Sequence, residues 1–307
     1  MAGLGFRVFL LALQRVHGLS GCTDPAATNF VPTAPTDDGS CAYKCDSLKI
    51  KTGAPAGAKC FIFTGGQWPV GLTGKAVADV ITVPPGERWI VQGKPTGGVK
   101  DAPAVPPLTN TRIFVIGAST GLDLRYTGLD ATAATTGPPT LSDCSGRSER
   151  TCGGAVAASN AEVHITGCRI SSSASYGGAV FAVESTILIE RSLFSKTQGA
   201  KGGALFVKDS SLTVLGSTFD HTHSETQAGG GIWAATSRVN ISDSTFENCQ
   251  TGSLDKQGAA AYLDECESVM IRGTRCASPP SSLGRARSRS PGSAGGFLQL
   301  SSVHTYL

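Results

Sequence analysis

The 307-residue sequence predicts an all-β fold, a right-handed parallel β-helix (solenoid) that follows a small N-terminal disulfide module. Three observations lead to this prediction. A unit that opens on paired glycines recurs along the second half of the chain, and apolar residues alternate at fixed places within it. The composition, with 39 Gly, 16% charged residues and 7% aromatic residues, is typical of short strands and tight turns rather than of helices.

The repeated unit is clearest in three segments, GGAVFAVESTILIERSLF (177–194), GGALFVKDSSLTVLGSTF (202–219) and GGGIWAATSRVNISDSTF (229–246). We number each unit from its second glycine as position 0. A more divergent fifth unit aligns with Ala260 at that position. Four apolar columns then recur: Val156, Val180, Leu205, Ile232 and Tyr262 at position 2; Val163, Ile187, Leu212, Val239 and Val269 at position 9; Ile165, Ile189, Val214, Ile241 and Ile271 at position 11; Ile170, Phe194, Phe219, Phe246 and Cys276 at position 16.

The alternation at positions 9 and 11 is typical of a half-buried strand, and the paired glycines favour a close turn before a further strand. Three short strands per unit predict a coil whose like residues stack on successive rungs, about 4.8 Å apart. Phe194, Phe219 and Phe246 should therefore form an internal aromatic ladder. Two positions before them, a column of small hydroxyls should stack in the same way: Ser192, Ser217, Ser244 and Thr274.

The repeats resemble a known family. The sequences GGAV, GGAV and GGAL, followed by STFENC at 244–249, are similar to the GGA[ILV] and FxxN repeats of chlamydial polymorphic outer membrane proteins. Similar repeats occur in secreted proteins with a pectin-lyase-like fold. The resemblance covers residues 153–276 and implies a cell-surface or secreted β-helix, and no part of the chain resembles the membrane barrel of that family.

The remaining segments divide the chain further. Residues 1–20 have features of a signal peptide, with Arg7 before a short apolar core. Residues 61–152 should form an N-terminal cap and the irregular first coils, since an open β-helix end must be covered. Residues 277–294 are poor in apolar residues and predict a disordered insertion. The pattern returns at residues 295–307 as a truncated further coil.

The N-terminal module spans residues 21–60. Its segment GCTDPAATNFVPTAPTDDGSC (21–41) is similar to GCTDxxAxNYxPxAxxDDGSC repeats of secreted bacterial and algal proteins. A disulfide between Cys22 and Cys41 would offset its lack of a core. Asp24, Asp37 and Asp38 supply oxygen ligands suited to calcium, and the alternative is that they are solvated turn formers.

Ten cysteines without a zinc-type CxxC pair favour disulfides and an extracellular or cell-surface location. Sequence proximity adds Cys45–Cys60, Cys144–Cys152 and Cys266–Cys276 as further pairs. Asn240 lies in the only N-x-S/T sequon and should face solvent, where a eukaryotic secretory pathway would glycosylate it. The net charge of +3 does not favour a nucleic-acid partner, and no apolar run is long enough for a transmembrane segment.

Two classes of function remain open. The first is a non-catalytic, adhesin-like or structural β-helix that binds a glycan or a surface protein, with no cofactor other than the calcium considered above. The second is a polysaccharide lyase or hydrolase whose catalytic rungs lie outside this sequence. Catalysis would require converging carboxylates, and the outward positions 8, 10 and 12 do not bring carboxylates together on neighbouring rungs, so we assign no catalytic residue.

An aromatic strip is the predicted binding surface. Position 3 carries Phe181, Phe206 and Trp233 on three successive rungs, and the polar residues at position 5 indicate that this side faces outward. A contiguous exposed strip of rings would suit sugar rings or an apolar protein surface. The alternative is that a loop from residues 94–151 packs over the strip.

Overall fold

A computed structural model describes residues 31–33, 42–43, 58–63, 76–77, 80–93, 104–105, 114–131, 152–174, 176–225, 228–252, 258–277 and 298–301. The predicted leader, the Cys22–Cys41 pair and the three aspartates of the N-terminal module lie outside these residues. The same holds for residues 278–294 of the predicted insertion, whereas Ala277 ends a strand.

The described part of the chain contains strands and turns and no helix, and its strands form four sheets. Sheet 1 contains Ala42–Tyr43, Lys59–Phe63, Arg88–Gly93, Gly121–Arg125, Glu162–Thr166, Thr186–Glu190, Ser211–Leu215, Arg238–Ser242 and Ser268–Arg272. Sheet 2 contains Ala76–Val77, Val80–Val83, Phe114–Ile116, Val156–Ser159, Val180–Val183, Leu205–Lys208, Ile232–Ala235, Ala261–Asp264 and Leu298–Ser301. Sheet 3 contains Ala104–Val105, Gly128–Ala131, Arg169–Ser172, Leu193–Ser195, Thr218–Asp220, Thr245–Glu247 and Arg275–Ala277, and sheet 4 contains Gln198–Gly199, His223–Ser224 and Gln250–Thr251.

The predicted parallel β-helix is confirmed. Each coil passes through sheet 2, then sheet 1, then sheet 3, and the next coil pairs with it in parallel. Ile187 pairs with Leu212, and Leu212 pairs with Val239, so the position 9 column stacks rung on rung. Apolar residues of this column point into the coil because positions 9 and 11 share one face of the strand.

The predicted aromatic ladder also forms. The rings of Phe194 and Phe219 lie 4.9 Å apart and 6° from parallel, and those of Phe219 and Phe246 lie 4.6 Å apart and 5° from parallel. All three side chains are buried in the same apolar core as the position 9 and 11 columns. Parallel strand spacing therefore sets the ring spacing, and the rings stack at their preferred separation.

The first coils lack the paired glycines yet continue the same stack. Ile81 pairs with Phe114, which pairs with Val156 in sheet 2. In sheet 1, Trp89 pairs with Leu122, which pairs with Val163. Large apolar side chains in these columns fill the coil interior, so the register is maintained where the turn sequence differs.

Three corners of the coil combine a left-handed residue with a small side chain, in most cases a hydroxyl. At the corner between sheets 1 and 3, Arg191, Gly216 and Asp243 have φ of 46°, 54° and 51°, and each precedes a buried serine. The corner between sheets 2 and 1 has left-handed residues in the same way, at Glu184, Asp209 and Thr236. The corner after sheet 3 has them at Lys196, His221 and Asn248. Four of these nine residues are Asp, Asn or Gly, the types that tolerate this conformation best, and the coil holds the others there.

The hydroxyls connect one rung to the next. The N–H of Ser192 donates to Oγ of Ser217 at 3.1 Å, and the N–H of Ser217 donates to Oγ of Ser244 at 3.2 Å. Each serine Oγ in turn donates to the carbonyl two residues earlier, as Ser217 does to Leu215 at 3.0 Å. The polar column that the sequence predicts is thus a chain of buried, satisfied hydrogen bonds.

The paired glycines are required at the fourth corner. Gly202 has φ of 61°, and a Cβ atom at Gly203 would lie 2.0 Å from the carbonyl oxygen of Gly230 on the next rung. Backbones approach so closely here that no side chain fits, which explains why the unit opens on two glycines.

The alignment of the fifth unit is wrong by one residue in sheet 2. Ile232 pairs with Ala261, so Ala261 and not Tyr262 occupies position 2, and Tyr262 pairs with Trp233 at position 3. Val239 nevertheless pairs with Val269 as predicted. One additional residue is accommodated between Cys266 and Ser268, because a corner tolerates an insertion that a paired strand does not.

Replacement of Ser217 by Ala should lower the free energy of unfolding by about 1–3 kcal/mol, because it leaves the buried N–H of Ser192 without an acceptor. Chemical denaturation of the purified protein measures this change. Thr218→Ala, one residue later on the outer face, is the matched control and should cost less. Equal losses for both variants would contradict the role assigned to the hydroxyl column.

Candidate functional site

Three of the four free cysteines among the described residues belong to the corner columns. Among the described residues, Cys168, Cys249, Cys266 and Cys276 are free thiols, so the expected Cys266–Cys276 disulfide is wrong. Cys168 occupies the column of Ser192 and Ser217, since it follows a left-handed glycine and its N–H donates to Oγ of Ser192 at 3.1 Å. Cysteine replaces serine there because its side chain has a similar size and shape.

Two other cysteines show the same substitution. Oγ1 of Thr222 donates to Sγ of Cys249 at 3.1 Å on the next rung, and Cys266 follows the left-handed Glu265 at the corner occupied by Ser237 one coil earlier. Burial raises the pKa of the Cys168 thiol and that of the Cys249 thiol to about 11. These thiols are protonated structural groups and carry no nucleophilic chemistry at neutral pH.

Two described cysteines do form disulfides. Cys60 and Cys152 are disulfide-bonded, whereas Cys22, Cys41, Cys45 and Cys144 lie outside the described residues. The pairs Cys45–Cys60, Cys144–Cys152 and Cys22–Cys41 therefore stay predictions. The described cysteines are therefore mixed, with disulfides at Cys60 and Cys152 and free thiols in the regular coils.

Alkylation of the native protein at pH 8 should modify Cys276, which is exposed, and leave Cys168 and Cys249 unmodified until the protein unfolds. Burial excludes the reagent from these two thiols and keeps them protonated, because pH 8 lies well below their pKa of about 11. Peptide mass mapping with and without denaturant measures the pattern. Native labelling of Cys168 as fast as that of Cys276 would contradict the burial assigned to the corner column.

The aromatic strip lies on the outer side of sheet 2. Phe181 and Phe206 stack at 5.0 Å and 9°, and Phe206 and Trp233 stack at 4.6 Å and 9°. These rings form a cluster separate from the coil interior, and Tyr262 packs against the same cluster. The outward orientation and the stacking follow the sequence-based expectation.

The expected exposure of the strip is wrong. Phe181, Phe206 and Trp233 have exposed fractions of 2%, 8% and 9%. Tyr176 meets Phe206 edge-on at 5.5 Å, and Nζ of Lys201 lies 4.8 Å from the Trp233 ring centre. Cys152 belongs to the same cluster. The three rings pack against these neighbours because contact between apolar surface and water is unfavourable. The strip therefore forms a second, smaller apolar core outside the coil interior.

Trp233→Ala should destabilise the protein by about 3 kcal/mol, since it removes a buried ring from a stack and leaves a cavity. Thermal or chemical denaturation measures the loss. Leu188→Ala, at a half-buried outer position of sheet 1, is the control and should cost less. Unchanged stability together with lost binding to a glycan or protein would restore the strip as a binding site.

A groove at the corner between sheets 2 and 1 is a concave surface of the described coils with a largely polar lining. It has a volume of about 690 Å³ and crosses four rungs. Its lining residues are Gly86, Glu87, Arg88, Ser119, Thr120, Gly121, Asn160, Ala161, Glu162, Glu184 and Thr186. We call this surface the corner groove.

The left-handed corner residues build the corner groove. Gly86, Ser119, Asn160 and Glu184 have φ of 77°, 59°, 50° and 49° and lie on four successive rungs. The N–H of Ser119 donates to the carbonyl of Asn160, and the N–H of Asn160 donates to the carbonyl of Val183. Backbone hydrogen bonds between rungs therefore hold the groove wall in place.

Charged side chains span the corner groove. Arg88 and Glu162 lie on rungs that are separated by Gly121, and the Arg88 guanidinium crosses that glycine to form an ion pair with Glu162. A Cβ atom at Gly121 would lie 2.4 Å from Nε of Arg88, so a side chain there would displace Arg88 from this path. Nε2 of His164 also lies 2.9 Å from Oε1 of Glu162.

Glu87 holds the other end of the corner groove. Its Oε1 lies 2.5 Å from Nζ of Lys59, and its Oε2 accepts a hydrogen bond of 2.6 Å from Nε1 of the buried Trp89. Glu184 is exposed at the opposite end. The groove thus offers carboxylate, guanidinium, hydroxyl and amide groups in fixed positions, which suits a polar ligand.

The sequence interpretation missed this site because it considered outward positions within sheet 1 and not the corner. The corner residues of the first coils are also irregularly spaced, from Glu87 to Ser119 to Asn160. The available signal was position 6, where Asn160, Glu184 and Asp209 recur just before the strands of sheet 1.

Other candidate sites stand as follows. No group of three or more His, Cys, Asp or Glu side chains within the described ranges is arranged to hold a metal ion. Asn240 lies on the outer face of sheet 1, half-buried, with Oγ of Ser242 3.3 Å from its Oδ1, and its glycosylation stays a prediction. No helix in the described part of the chain is long and apolar enough to cross a membrane.

Comparison with known proteins agrees with the coil architecture. A curated protein, the chloroplastic ribulose bisphosphate carboxylase/oxygenase activase 1 of Larrea tridentata, is 75% identical over 24 residues, which are 8% of this chain and 5% of that protein. The match is too short to carry an argument about activity, and no solved structure matches the chain. Residues 131–278 match the family described as the right-handed beta helix region, and together with the parallel coils this match supports a pectin-lyase-like right-handed β-helix.

Proposed function

We propose that this chain is a non-catalytic β-helical binding protein of the cell surface or extracellular space, and that a glycan or protein partner binds in the corner groove. The observation that carries the proposal is the groove itself, a polar surface of about 690 Å³ held by backbone hydrogen bonds on four rungs. Rigid elements that fix polar groups reduce the entropic cost of binding a flexible polar chain.

A glycan is the partner that the groove chemistry favours. Sugar hydroxyls both donate and accept hydrogen bonds, and the groove presents acceptors on Glu87, Glu162 and Glu184 and donors on Arg88 and Asn160. The open shape of the groove, which follows the direction of stacking, suits an extended chain better than a compact small molecule.

The charge pairing favours binding over catalysis. Glycoside hydrolysis needs one carboxyl group that carries a proton and a second one that acts as a base or nucleophile. Glu162 is engaged by Arg88 and His164, and Glu87 is engaged by Lys59 and Trp89. These partners hold both carboxylates in place, which suits fixed hydrogen-bond acceptors.

An extracellular location is supported by the disulfides at Cys60 and Cys152, since such bonds persist in oxidising compartments. The similarity of the GGA[ILV] and FxxN repeats to those of chlamydial surface proteins supports the same location. Three free buried thiols do not oppose it, because they act as serine substitutes at corners and are shielded from oxidants.

Arg88→Ala should weaken glycan binding about tenfold, because it removes the donor that crosses the groove and leaves Glu162 without its main cation. A glycan array with neutral, uronic-acid and amino sugars identifies the ligand, and titration calorimetry measures the change. Arg238→Ala is the matched control, since Arg238 also pairs with a glutamate, Glu267, but lies outside the groove.

The carbohydrate-active alternative is tested with the same sugars. Its single supporting observation is that three glutamates line one groove. Released reducing ends or unsaturated uronates that disappear in Glu184→Gln would establish catalysis and overturn the non-catalytic proposal. Failure of every arrayed glycan to bind would overturn the choice of a glycan ligand.

A further inference from the structure

The corner groove contains one carboxylate that has no cationic partner. Glu87 pairs with Lys59, and Glu162 pairs with Arg88. Glu184, the third glutamate of the lining, is exposed and forms no ion pair with any residue in the described part of the chain. The groove therefore carries one uncompensated negative charge, at the end opposite Glu87.

The neighbours of Glu184 along the corner supply no free positive charge. Lys208 lies on the next rung, where its carbonyl oxygen accepts a hydrogen bond of 3.1 Å from the N–H of Glu184. Its Nζ, however, lies 3.5 Å from Oδ2 of Asp209. Asp209 follows Glu184 at the same corner position, and both residues have a left-handed φ of 49°. This end of the groove therefore favours a ligand group that is positively charged.

We propose that the ligand of the corner groove is a chain of amino sugars with free, protonated amino groups, and that one ammonium group binds at Glu184. The inference rests on the proposed glycan-binding function and adds the charge of the ligand. A neutral chain would displace water from the Glu184 carboxylate without supplying a cation, whereas an ammonium group forms charge-assisted hydrogen bonds with it. A uronic acid chain would bring a like charge to the same place.

The polar groups around Glu184 match the three donors of an ammonium group. Asn160 occupies the same corner position one rung earlier, about 4.8 Å away along the stack. Thr186 follows Glu184 by two residues, on the outer face of sheet 1. All three are exposed residues of the groove lining. An ammonium group between them can donate to the Glu184 carboxylate, to Oδ1 of Asn160 and to Oγ1 of Thr186.

The length of the corner groove suits an oligosaccharide. The rungs of Gly86 and Glu184 are three steps apart, which at about 4.8 Å for each step gives about 14 Å. A chain that follows the direction of stacking places hydroxyls beside Arg88 and Glu162 and one amino group at Glu184. The hydroxyl contacts are common to neutral and amino sugars, so the contact at Glu184 determines which of them binds more tightly.

Three tetrasaccharides with the same backbone test this preference, the β-1,4-linked tetramers of glucosamine, of N-acetylglucosamine and of glucose. Titration calorimetry is carried out in a mildly acidic buffer that keeps the free amines protonated. The glucosamine tetramer should bind about three- to fivefold more tightly than the other two, as expected for one solvent-accessible ion pair. Added salt should reduce this preference, because it screens the pair.

Glu184→Gln should abolish the preference for the glucosamine tetramer and leave the affinity for the glucose tetramer nearly unchanged, because glutamine keeps the size of the side chain and its hydrogen-bonding capacity. Glu265→Gln is the matched control. Glu265 is also an exposed, left-handed residue at this corner, but it lies outside the groove lining, so its replacement should leave the preference intact.

The possible failures of the two proposals differ. Absence of binding by all three tetramers would overturn the glycan-binding function and this inference together. Equal affinities for the three tetramers, or a preference that persists in Glu184→Gln, would leave glycan binding in place and overturn the choice of an amino sugar. Binding of an oligolysine that depends on Glu184, with no binding of the sugars, would overturn both proposals and indicate a cationic peptide partner.

Discussion

The structure depends on hydrogen bonding between one coil and the next at the corners. In the strands, parallel backbone pairing supplies the hydrogen bonds between rungs, whichever apolar side chains fill the coil interior. At a corner the chain must turn, and its N–H groups would be buried without partners. A left-handed residue makes the turn, and the following hydroxyl accepts the N–H from the preceding rung, so the Ser192, Ser217 and Ser244 column closes the gap.

This constraint changes the meaning of the cysteines. Counted along the sequence, they form an even set that favours disulfides. Within the coils, Cys168, Cys249 and Cys266 occupy hydroxyl positions, where size and weak hydrogen bonding matter and oxidation does not. The bridged Cys60 and Cys152 lie before the regular repeats or at their start. Cysteine number is therefore a weaker argument for export than the location of the bridges.

Because the interior columns repeat from rung to rung, residues that bind a partner have to lie on the outside of the coil. Interior columns require an apolar residue on every rung and the hydroxyl columns a small polar one, whereas the outward positions and the left-handed corner positions accept many residue types. Where outward residues happen to be rings, as at Phe206 and Trp233, they stack and bury themselves. Where corner residues are polar, as at Asn160 and Glu184, they line a groove that stays open to solvent.

The sequence by itself determined the coil, because a rung-to-rung repeat shows directly in columns such as Phe194, Phe219 and Phe246. It also determined which face of sheet 2 points outward. Only the tertiary structure decided that the Phe181, Phe206 and Trp233 strip is covered, since its burial depends on contacts between rungs, such as those of Tyr176 with Phe206 and of Lys201 with Trp233. It alone joined Arg88 to Glu162 across Gly121, because that contact spans three rungs of irregular length. Local periodicity encodes the stack, and the surface that the stack presents depends on how its irregular corners come together.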